Sequence, residues 1–288
     1  MKQKMNDDMS PTNNKIHIMK DVTKINHRAL QRQDAHKNNF GHVWIFGGSV
    51  GFTGAPRLAA EGAMATGVGL VSIICPQDVW PVIAACSLEV MVHPQGVDGW
   101  KKADVILVGP GWGNMHAIYL AKILSSNVPL VLDADALNMI ALDKSLQTLL
   151  GNRKALTILT PHAGEAGRLL GKTPSDIQTN RLASVLALVD MYQCAVILKG
   201  AGTLLALENK EVFLCPFGSS NLARAGTGDV LAGMVASLLA QAIKVHEVVN
   251  LERVLSQAIV WHARAGESND WYRTGQLPSI IASLLKPH

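Results

Sequence analysis

Residues 41–56 read GHVWIFGGSVGFTGAP: an apolar run, a cluster of glycines and, shortly after them, a proline. The run from His42 to Phe46 predicts a buried β-strand, and Pro56 is typical of the first turn of an α-helix. A strand, a glycine turn and a helix in immediate succession are the unit from which parallel sheets are built. This stretch therefore favours an α/β fold.

The same succession recurs along the chain. Apolar runs at residues 69–75, 104–108, 129–132, 156–159 and 194–198 predict five further strands. An extended segment is predicted at 89–92, and residues 204–207 and 211–214 predict a hairpin. Because the strands are apolar on both faces and alternate with helices, we expect a mostly parallel sheet with helices on both sides.

Two regions differ in composition. Residues 1–35 are polar, rich in Asn and Lys, and weakly patterned; disorder and packing on a neighbouring subunit both remain open for this tail. From residue 36 to residue 288 no fixed-period repeat and no linker-like composition interrupts the strand–helix alternation. We therefore predict a single domain at 36–288.

The composition argues against several classes of partner. The net charge is only +4, and the basic residues of the first forty positions lack interleaved aromatic side chains, so no nucleic-acid surface is predicted. No uninterrupted apolar run of eighteen residues and no signal-peptide pattern occur, so we expect no membrane partner and a cytoplasmic location. The cysteines are predicted to be reduced, mostly buried thiols. They are Cys75, Cys86, Cys194 and Cys215.

Polar residues near glycines follow most of the predicted strands. Asp133, Asp135, His162, Glu165 and Lys199 all fall at the carboxyl ends of strands, where open α/β sheets bind their ligands. Taken singly, the aspartates could be turn formers, the histidine a core residue and the lysine a surface residue. Their convergence on one edge of the sheet predicts a binding site.

The segment 218–233, GSSNLARAGTGDVLAG, is predicted to be a glycine-rich loop that closes onto the N-terminus of a helix. Unpaired amides and the helix dipole make such an end a phosphate site. Asp229 either caps this helix, accepts a proton from a substrate hydroxyl, or does both. The patterns GxxxxGK[ST], GxGxxG and GxSxG are missing, so a P-loop, a Rossmann dinucleotide site and a serine hydrolase are not predicted.

Six segments carry a resemblance to a known family. They are GGSVGFTGAPRLAAEGAMATGVGLVSI, GPGWG, PLVLDADALN, LTPHAGEAGRLLG, VILKGAGTLLA and AGTGDVLAGMVASLLAQ. In this order they resemble the ADP/ATP-dependent NAD(P)H-hydrate dehydratases, a branch of the ribokinase-like superfamily. The resemblance implies a ribokinase-like three-layer α/β/α fold with a mostly parallel central sheet. Residues 218–222 depart from the Asn-Pro-Gly-like run usual in the family, and Ala55 is followed by Pro56 where Gly-Ala-Ala is common.

The resemblance also implies roles for particular residues. Asp229 would accept the proton of the substrate hydroxyl, and the amides of Gly226, Thr227 and Gly228 would form an anion hole. The implied nucleotide-binding residues are Lys199, Gly200, Ala201, Gly202, Thr203 and Gly228. The implied contacts to the hydrated dinucleotide are Ala55, Gly113, His162 and Asp229. Glu165 is implied to act near Mg²⁺, directly or indirectly.

The implied activity is dehydration of the S form of hydrated NADH or NADPH. ADP or ATP would phosphorylate the C6 hydroxyl of the nicotinamide ring, and loss of phosphate would restore the cofactor. A small-molecule alcohol kinase of the same fold and a non-catalytic nucleotide-binding protein remain alternatives. Sparse charge and the family favour a homo-oligomer, a tetramer, and the short N-terminal segment leaves any epimerase to a separate protein.

Overall fold

The strands form one sheet. The structure, a computed structural model, describes residues 15–21, 37–85, 87–245, 248–271 and 273–285. The strands are β1 Ile16–Ile18, β2 His42–Phe46, β3 Leu70–Cys75, β4 Met91–Pro94, β5 Val105–Val108, β6 Leu130–Leu132, β7 Thr157–Leu159, β8 Ala195–Leu198, β9 Leu204–Ala206 and β10 Val212–Leu214. Their spatial order is β1-β10-β9-β8-β7-β6-β5-β2-β3-β4. All neighbours are parallel except β8–β9 and β9–β10.

Helices cover both faces of the sheet. They are α1 Gly54–Ala65, α2 Trp80–Ala85, α3 Ala117–Leu124, α4 Ala134–Leu142, α5 Lys144–Gly151, α6 Ala163–Leu170, α7 Pro174–Thr179, α8 Arg181–Tyr192, α9 Thr227–Val245, α10 Leu251–Glu267 and α11 Leu277–Leu284. Side chains of β2 alternate between two cores, as the pleat of a strand requires: Val43 and Ile45 join the core under α1, α9 and α10, while Trp44 and Phe46 join the core under α3 to α8. The three-layer α/β/α architecture predicted from the sequence is confirmed.

The order of the strands changes direction between β2 and β5. From β2 the chain proceeds outward through β3 and β4, and from β5 it proceeds the other way through β6, β7 and β8. Ligands in open α/β sheets bind beyond the carboxyl ends of the strands at such a switch point. The glycine turns after β2 and β5 meet there, where the Ser49 hydroxyl donates to the Gly111 carbonyl at 2.9 Å.

Helices α1 and α9 approach each other at two glycines. A Cβ atom added to Gly62 would lie 2.3 Å from the Val230 carbonyl oxygen, and one added to Gly233 would lie 1.9 Å from the Ala59 carbonyl oxygen. Only glycine permits this separation of two helix backbones. The contact anchors the first turns of α9, and therefore the loop before it, against the sheet.

All nine predicted strands are confirmed: the strand at 42–46 has the predicted bounds, and the others differ by one or two residues at their ends. The sequence between about residues 175 and 192 predicts a single helix, but the structure has two helices there, α7 and α8, which meet at Asn180. Strand β1 was not predicted: it lies in the polar N-terminal segment and pairs with β10. The other tail residues, 1–14 and 22–35, lie outside the described residues.

The structure bears on two expectations drawn from the composition, one about the cysteines and one about membrane-spanning segments. Cys75, Cys194 and Cys215 are free and buried, as predicted, while Cys86 lies outside the described residues. Helix α9 is long and apolar enough to span a membrane by length and composition alone, but 72% of its apolar window is buried inside the protein. A buried core helix meets the same criterion, and α9 occupies that place in the fold.

Candidate active site

A cavity of about 490 Å³ opens at the carboxyl ends of β6, β7 and β8. Its lining comes from the turns after these strands and from the loop before α9. The lining residues are Asp133, Ala134, His162, Ala163, Glu165, Gln178, Lys199, Gly200, Leu222, Arg224, Gly226, Gly228 and Asp229. Eight of the residues singled out from the sequence therefore line one cavity: Asp133, His162, Glu165, Lys199, Gly200, Gly226, Gly228 and Asp229.

The loop before α9 contributes Gly226 and Gly228 to the lining of this cavity. Gly226 has a φ of +88°, a conformation that side chains disfavour. The Thr227 hydroxyl donates to the carbonyls of Leu222, at 2.7 Å, and Arg224, at 3.0 Å, and these contacts fix the turn. The Thr227 amide has a long hydrogen bond, 3.4 Å, to the Arg224 carbonyl, so Gly226 and Gly228 are the predicted anion-hole residues that line the cavity.

Asp229 lies in the first turn of α9 and is largely buried. Burial, together with the charges of the neighbouring Asp133, Glu165 and Asp135, raises the pKa of its carboxyl to about 7 against the opposing charge of Lys199. A carboxyl with a pKa near 7 is poised to exchange a proton at neutral pH.

Lys199 is held in a network of buried acids. Its ammonium donates to Asp133 Oδ1 at 2.6 Å and lies 3.8 Å from Glu165 Oε2. The Thr160 hydroxyl donates to the same oxygen of Asp133 at 2.7 Å. Although burial alone would lower the pKa of Lys199, the two carboxylates outweigh it and raise that pKa, so the lysine stays charged. A Cβ added to Gly228 would lie 3.2 Å from the ammonium, which places this charge directly beside the anion loop.

His162 and Glu165 form a capping box at the start of α6. His162 Nδ1 accepts hydrogen bonds from the amides of Gly164 and Glu165, at 2.9 and 3.4 Å. Nδ1 is therefore unprotonated, and Nε2 carries the proton and faces Glu165 Oε1 at 3.1 Å. The His162 side chain is 53% exposed, so the alternative of a core histidine is wrong.

Glu165 has both carboxylate oxygens engaged. Oε2 accepts from the His162 amide at 2.8 Å, and Oε1 faces the ring of the same residue. Burial pushes its pKa up, but the charge of Lys199 and the bonds from His162 outweigh burial and leave the pKa below its usual value. Across the described ranges no group of three or more His, Cys, Asp or Glu side chains is arranged to hold a metal ion. These acids suit Mg²⁺ that arrives on nucleotide phosphates better than a resident metal, because Mg²⁺ needs only one or two carboxylates when phosphates supply the rest.

Gly113 and Ala55, predicted to contact the dinucleotide, lie beside this cavity rather than in its lining. The Gly113 amide donates to Asp135 Oδ2 at 2.8 Å, and Asp135 is near enough to Asp229 to raise its pKa. A Cβ added to Gly111 would lie 2.9 Å from the Cβ of Ala55. The two residues thus lie near the switch point between β2 and β5.

The loop after β8 is fixed by an arginine that the sequence analysis did not select. Arg181, at the start of α8, donates to the carbonyls of Leu198 at 3.0 Å and Gly202 at 3.1 Å. Ala201, Gly202 and Thr203 therefore belong to a braced turn next to the lining residue Gly200. No local sequence signal marks Arg181, because the carbonyls that it holds in the loop after β8 are seventeen or more positions away.

The fold and the position of the cavity define a class of protein. Among solved structures, the chain is similar to the ADP/ATP-dependent NAD(P)H-hydrate dehydratase from Bacillus subtilis co-crystallised with ATP and Mg²⁺, with a TM-score of 0.73 and 27% identity over 88% of this chain and 92% of that one. A ribokinase-like superfamily protein from Enterococcus faecalis has the same fold, with a TM-score of 0.73 at 24% identity over 89% of this chain and 92% of that one. The ribokinase-like fold predicted from the motifs is confirmed.

The family follows from sequence comparison. The family model described as NAD(P)H-hydrate dehydratase matches residues 43–283. The chain is 40% identical to the ADP-dependent (S)-NAD(P)H-hydrate dehydratase of Neisseria meningitidis, over 75% of this chain and 74% of that protein. It is 38% identical to the bifunctional NAD(P)H-hydrate repair enzyme of Coxiella burnetii, over 73% of this chain but only 43% of that longer protein. The chain belongs to the NAD(P)H-hydrate dehydratase family, which confirms the resemblance drawn from its motifs.

Proposed function

We propose that this protein is a nucleotide-dependent dehydratase that restores NADH or NADPH from the S form of their hydrates. The observation that carries the proposal is the position of Asp229, a largely buried carboxyl with a pKa of about 7 beside the amides of residues 226–228. This pairing of a base with an anion site suits transfer of a phosphoryl group to an alcohol. Membership of the NAD(P)H-hydrate dehydratase family indicates that this alcohol is the C6 hydroxyl of hydrated NADH or NADPH.

The first step is phosphoryl transfer. Ionised Asp229 accepts the proton of the C6 hydroxyl as that oxygen attacks the terminal phosphorus of the nucleotide. The bond from phosphorus to the bridging oxygen breaks, so ADP leaves as AMP. The amides of Gly226, Thr227 and Gly228 stabilise the charge on the transferred group. One such donor is typically worth about 3 kcal/mol.

The second step is elimination. Hydroxide is a poor leaving group, whereas a phosphate ester leaves readily. The C6–oxygen bond breaks, phosphate departs with that oxygen, and the ring regains its double bond as C5 gives up a proton to solvent. The chain's task in this step is to position the ring, for which Ala55, Gly113 and His162 are the proposed contacts.

The nucleotide is proposed to lie along Lys199, Gly200, Ala201, Gly202, Thr203 and Gly228. Lys199 already neutralises Asp133, so its ammonium acts as a fixed charge near the phosphates rather than as a mobile arm. Mg²⁺ would be held mainly by the phosphates, with Glu165 reaching it through water, since both of its oxygens are engaged. The metal would neutralise phosphate charge.

Further features of the proposal come from the family and the composition. We propose ADP as the preferred nucleotide, in line with the name of the Neisseria relative. A cytoplasmic homotetramer, served by a separate epimerase, is the proposed setting. The sparse charge of the chain, 17% of its residues, is compatible with extensive contact between subunits.

The proposal is tested by incubating the protein with hydrated NADH, Mg²⁺ and either ADP or ATP. We expect the near-ultraviolet absorbance of NADH to return, with one AMP and one phosphate released per NADH when ADP is used. A stable phosphorylated alcohol in place of restored NADH would instead identify a kinase. Nucleotide binding without any turnover would contradict catalysis.

A further inference from the structure

His262 lies behind the anion loop, on α10. It is 8% exposed, and its Nε2 atom is 2.9 Å from the carbonyl oxygen of Thr227. Because the carbonyl can only accept, Nε2 must carry the proton in this contact. The histidine does not line the cavity, so it has no access to substrate.

The ring remains neutral at any pH at which the protein would be assayed. Burial, together with the nearby charge of Lys199, lowers the pKa of His262 to about 4 against the opposing effect of the bond to Thr227. A neutral ring with its proton on Nε2 therefore makes the same hydrogen bond throughout the neutral range.

The carbonyl that His262 contacts belongs to a particular peptide group. The Thr227 carbonyl and the Gly228 amide are the two ends of one planar unit. A hydrogen bond donated to the carbonyl polarises that unit and strengthens its N–H as a donor at the other end. Gly228 lines the cavity beside Lys199, so the strengthened amide lies where a phosphate would bind.

We propose that His262 is a positioning residue that holds and polarises the Thr227–Gly228 peptide, and so increases the strength of the Gly228 amide in the anion hole. The inference rests on the proposed function for the identity of the bound phosphate. It adds a residue from α10 to a site otherwise built from β-strand turns and α9. It also gives α10 a role beyond covering the sheet.

A merely structural role for His262 predicts something different. A buried polar group that loses its partner destabilises a protein, but the molecules that remain folded keep their turnover number. A polarising role predicts a lower kcat in fully folded protein, with little change in KM for the hydrated cofactor.

The test compares His262→Gln with His262→Asn. Glutamine can bring an amide N–H to about the place of Nε2, whereas asparagine is too short to reach the carbonyl. His42→Asn is the matched control, because His42 also has a lowered pKa and a side-chain contact, at 2.9 Å to Ser72, but lies at the start of β2, at the opposite end of the sheet. Each variant is assayed for kcat, for KM and, by calorimetry without hydrated cofactor, for ADP affinity.

We expect His262→Asn to lower kcat by about 10-fold, less than the 10²–10³ lost when such a donor is removed outright. Its ADP affinity should fall several-fold, while His262→Gln and His42→Asn stay within about 2-fold of the wild type. Equal kcat and ADP affinity in His262→Asn and the wild type, or equal impairment of the Asn and Gln variants, would overturn the inference. Wild-type protein that fails to restore NADH would contradict the proposed function, yet the ADP affinities would still decide the role of His262.

Discussion

At the scale of single residues, Asp229 owes its properties to its surroundings. Burial and three neighbouring carboxylates raise its pKa to about 7, while Lys199 acts in the opposite direction. Its place in the chain was predictable, since Gly226, Gly228 and the apolar segment after them indicate a loop closing on a helix. Its pKa was not, because Asp133 and Glu165 are more than sixty positions away in the sequence.

The pH dependence of the reaction follows from this pKa. Asp229 is active as a base only when ionised, so we expect kcat/KM to fall as the pH drops below about 7, approaching a tenfold loss for each further pH unit. Initial rates between about pH 5.5 and 8.5, with saturating nucleotide, measure this fall in kcat/KM. A flat profile over that range would exclude Asp229 as the titrating group.

Replacement of the base separates chemistry from stability. We expect Asp229→Asn to lose about 10²–10⁴ in kcat while the protein remains folded. Because the folded pKa is raised above the unfolded value of 3.8, the carboxyl contributes most to stability below pH 4, and that contribution is lost as the pH rises through 7. The variant should therefore gain stability relative to the wild type, by a few kcal/mol, at pH 8 but not at pH 4. Denaturant unfolding at both pH values measures this gain, and a loss of stability at pH 8 would contradict the burial argument.

At the scale of elements, the buried ion pair ties the turn after β8 to the turn after β6. Removing one partner of such a pair leaves an isolated buried charge, which costs about 3–5 kcal/mol. We expect Lys199→Met to be destabilised by about that amount and the double variant Lys199→Met/Asp133→Asn to recover a large part of it. Chemical denaturation of the two single variants and the double variant gives the coupling free energy between Lys199 and Asp133. Additive effects would mean that the 2.6 Å contact does not stabilise the fold.

The glycine contact between α1 and α9 is the second test at this scale. Gly233→Ala would place a methyl group against the Ala59 carbonyl, so we expect a loss of about 1–3 kcal/mol or more, together with lower activity as α9 moves. Gly275→Ala, where an added Cβ meets nothing within 4 Å, is the control and should change neither property. Melting temperature and kcat are measured for both variants. Wild-type stability in Gly233→Ala would show that the helices are not held at this contact.

Only those features of the strands and helices that depend on neighbouring residues in the sequence could be predicted. The strand at 42–46 and its counterparts after it were recognisable because apolar runs end in glycine or polar turns. The break at Asn180 was missed because the helical pattern continues through it. The Lys199–Asp133 pair depends on β6, β7 and β8 being neighbours in the sheet. Strand order is fixed by tertiary packing, which sequence periodicity does not report.

At the scale of the whole molecule, the N-terminal segment is part of the sheet. Strand β1 adds to the edge of β10, the buried Met19 follows it, and Asp21 pairs with Arg264 of α10 at 2.7 Å. The sequence does not predict this strand, because it lies in a polar segment and only three of its residues pair. Their partners lie almost two hundred positions later.

Met19 tests whether this edge is integral to the fold. We expect Met19→Ala to cost about 2–5 kcal/mol, because the side chain is 4% exposed. Ile18, the last residue of β1 and 58% exposed, is the control, and its replacement by alanine should be nearly neutral. Urea unfolding of both variants measures the difference. Equal stability of the two would mean that β1 does not contribute to the core.

The fate of one oxygen atom shows whether the substrate hydroxyl is phosphorylated. Hydrated NADH labelled with oxygen-18 in its C6 hydroxyl is turned over with unlabelled ADP, and the released phosphate is analysed by mass spectrometry. Phosphorylation of that hydroxyl, with Asp229 as its base, predicts one labelled oxygen in every phosphate released. Label found in water, with unlabelled phosphate, would contradict transfer to the hydroxyl.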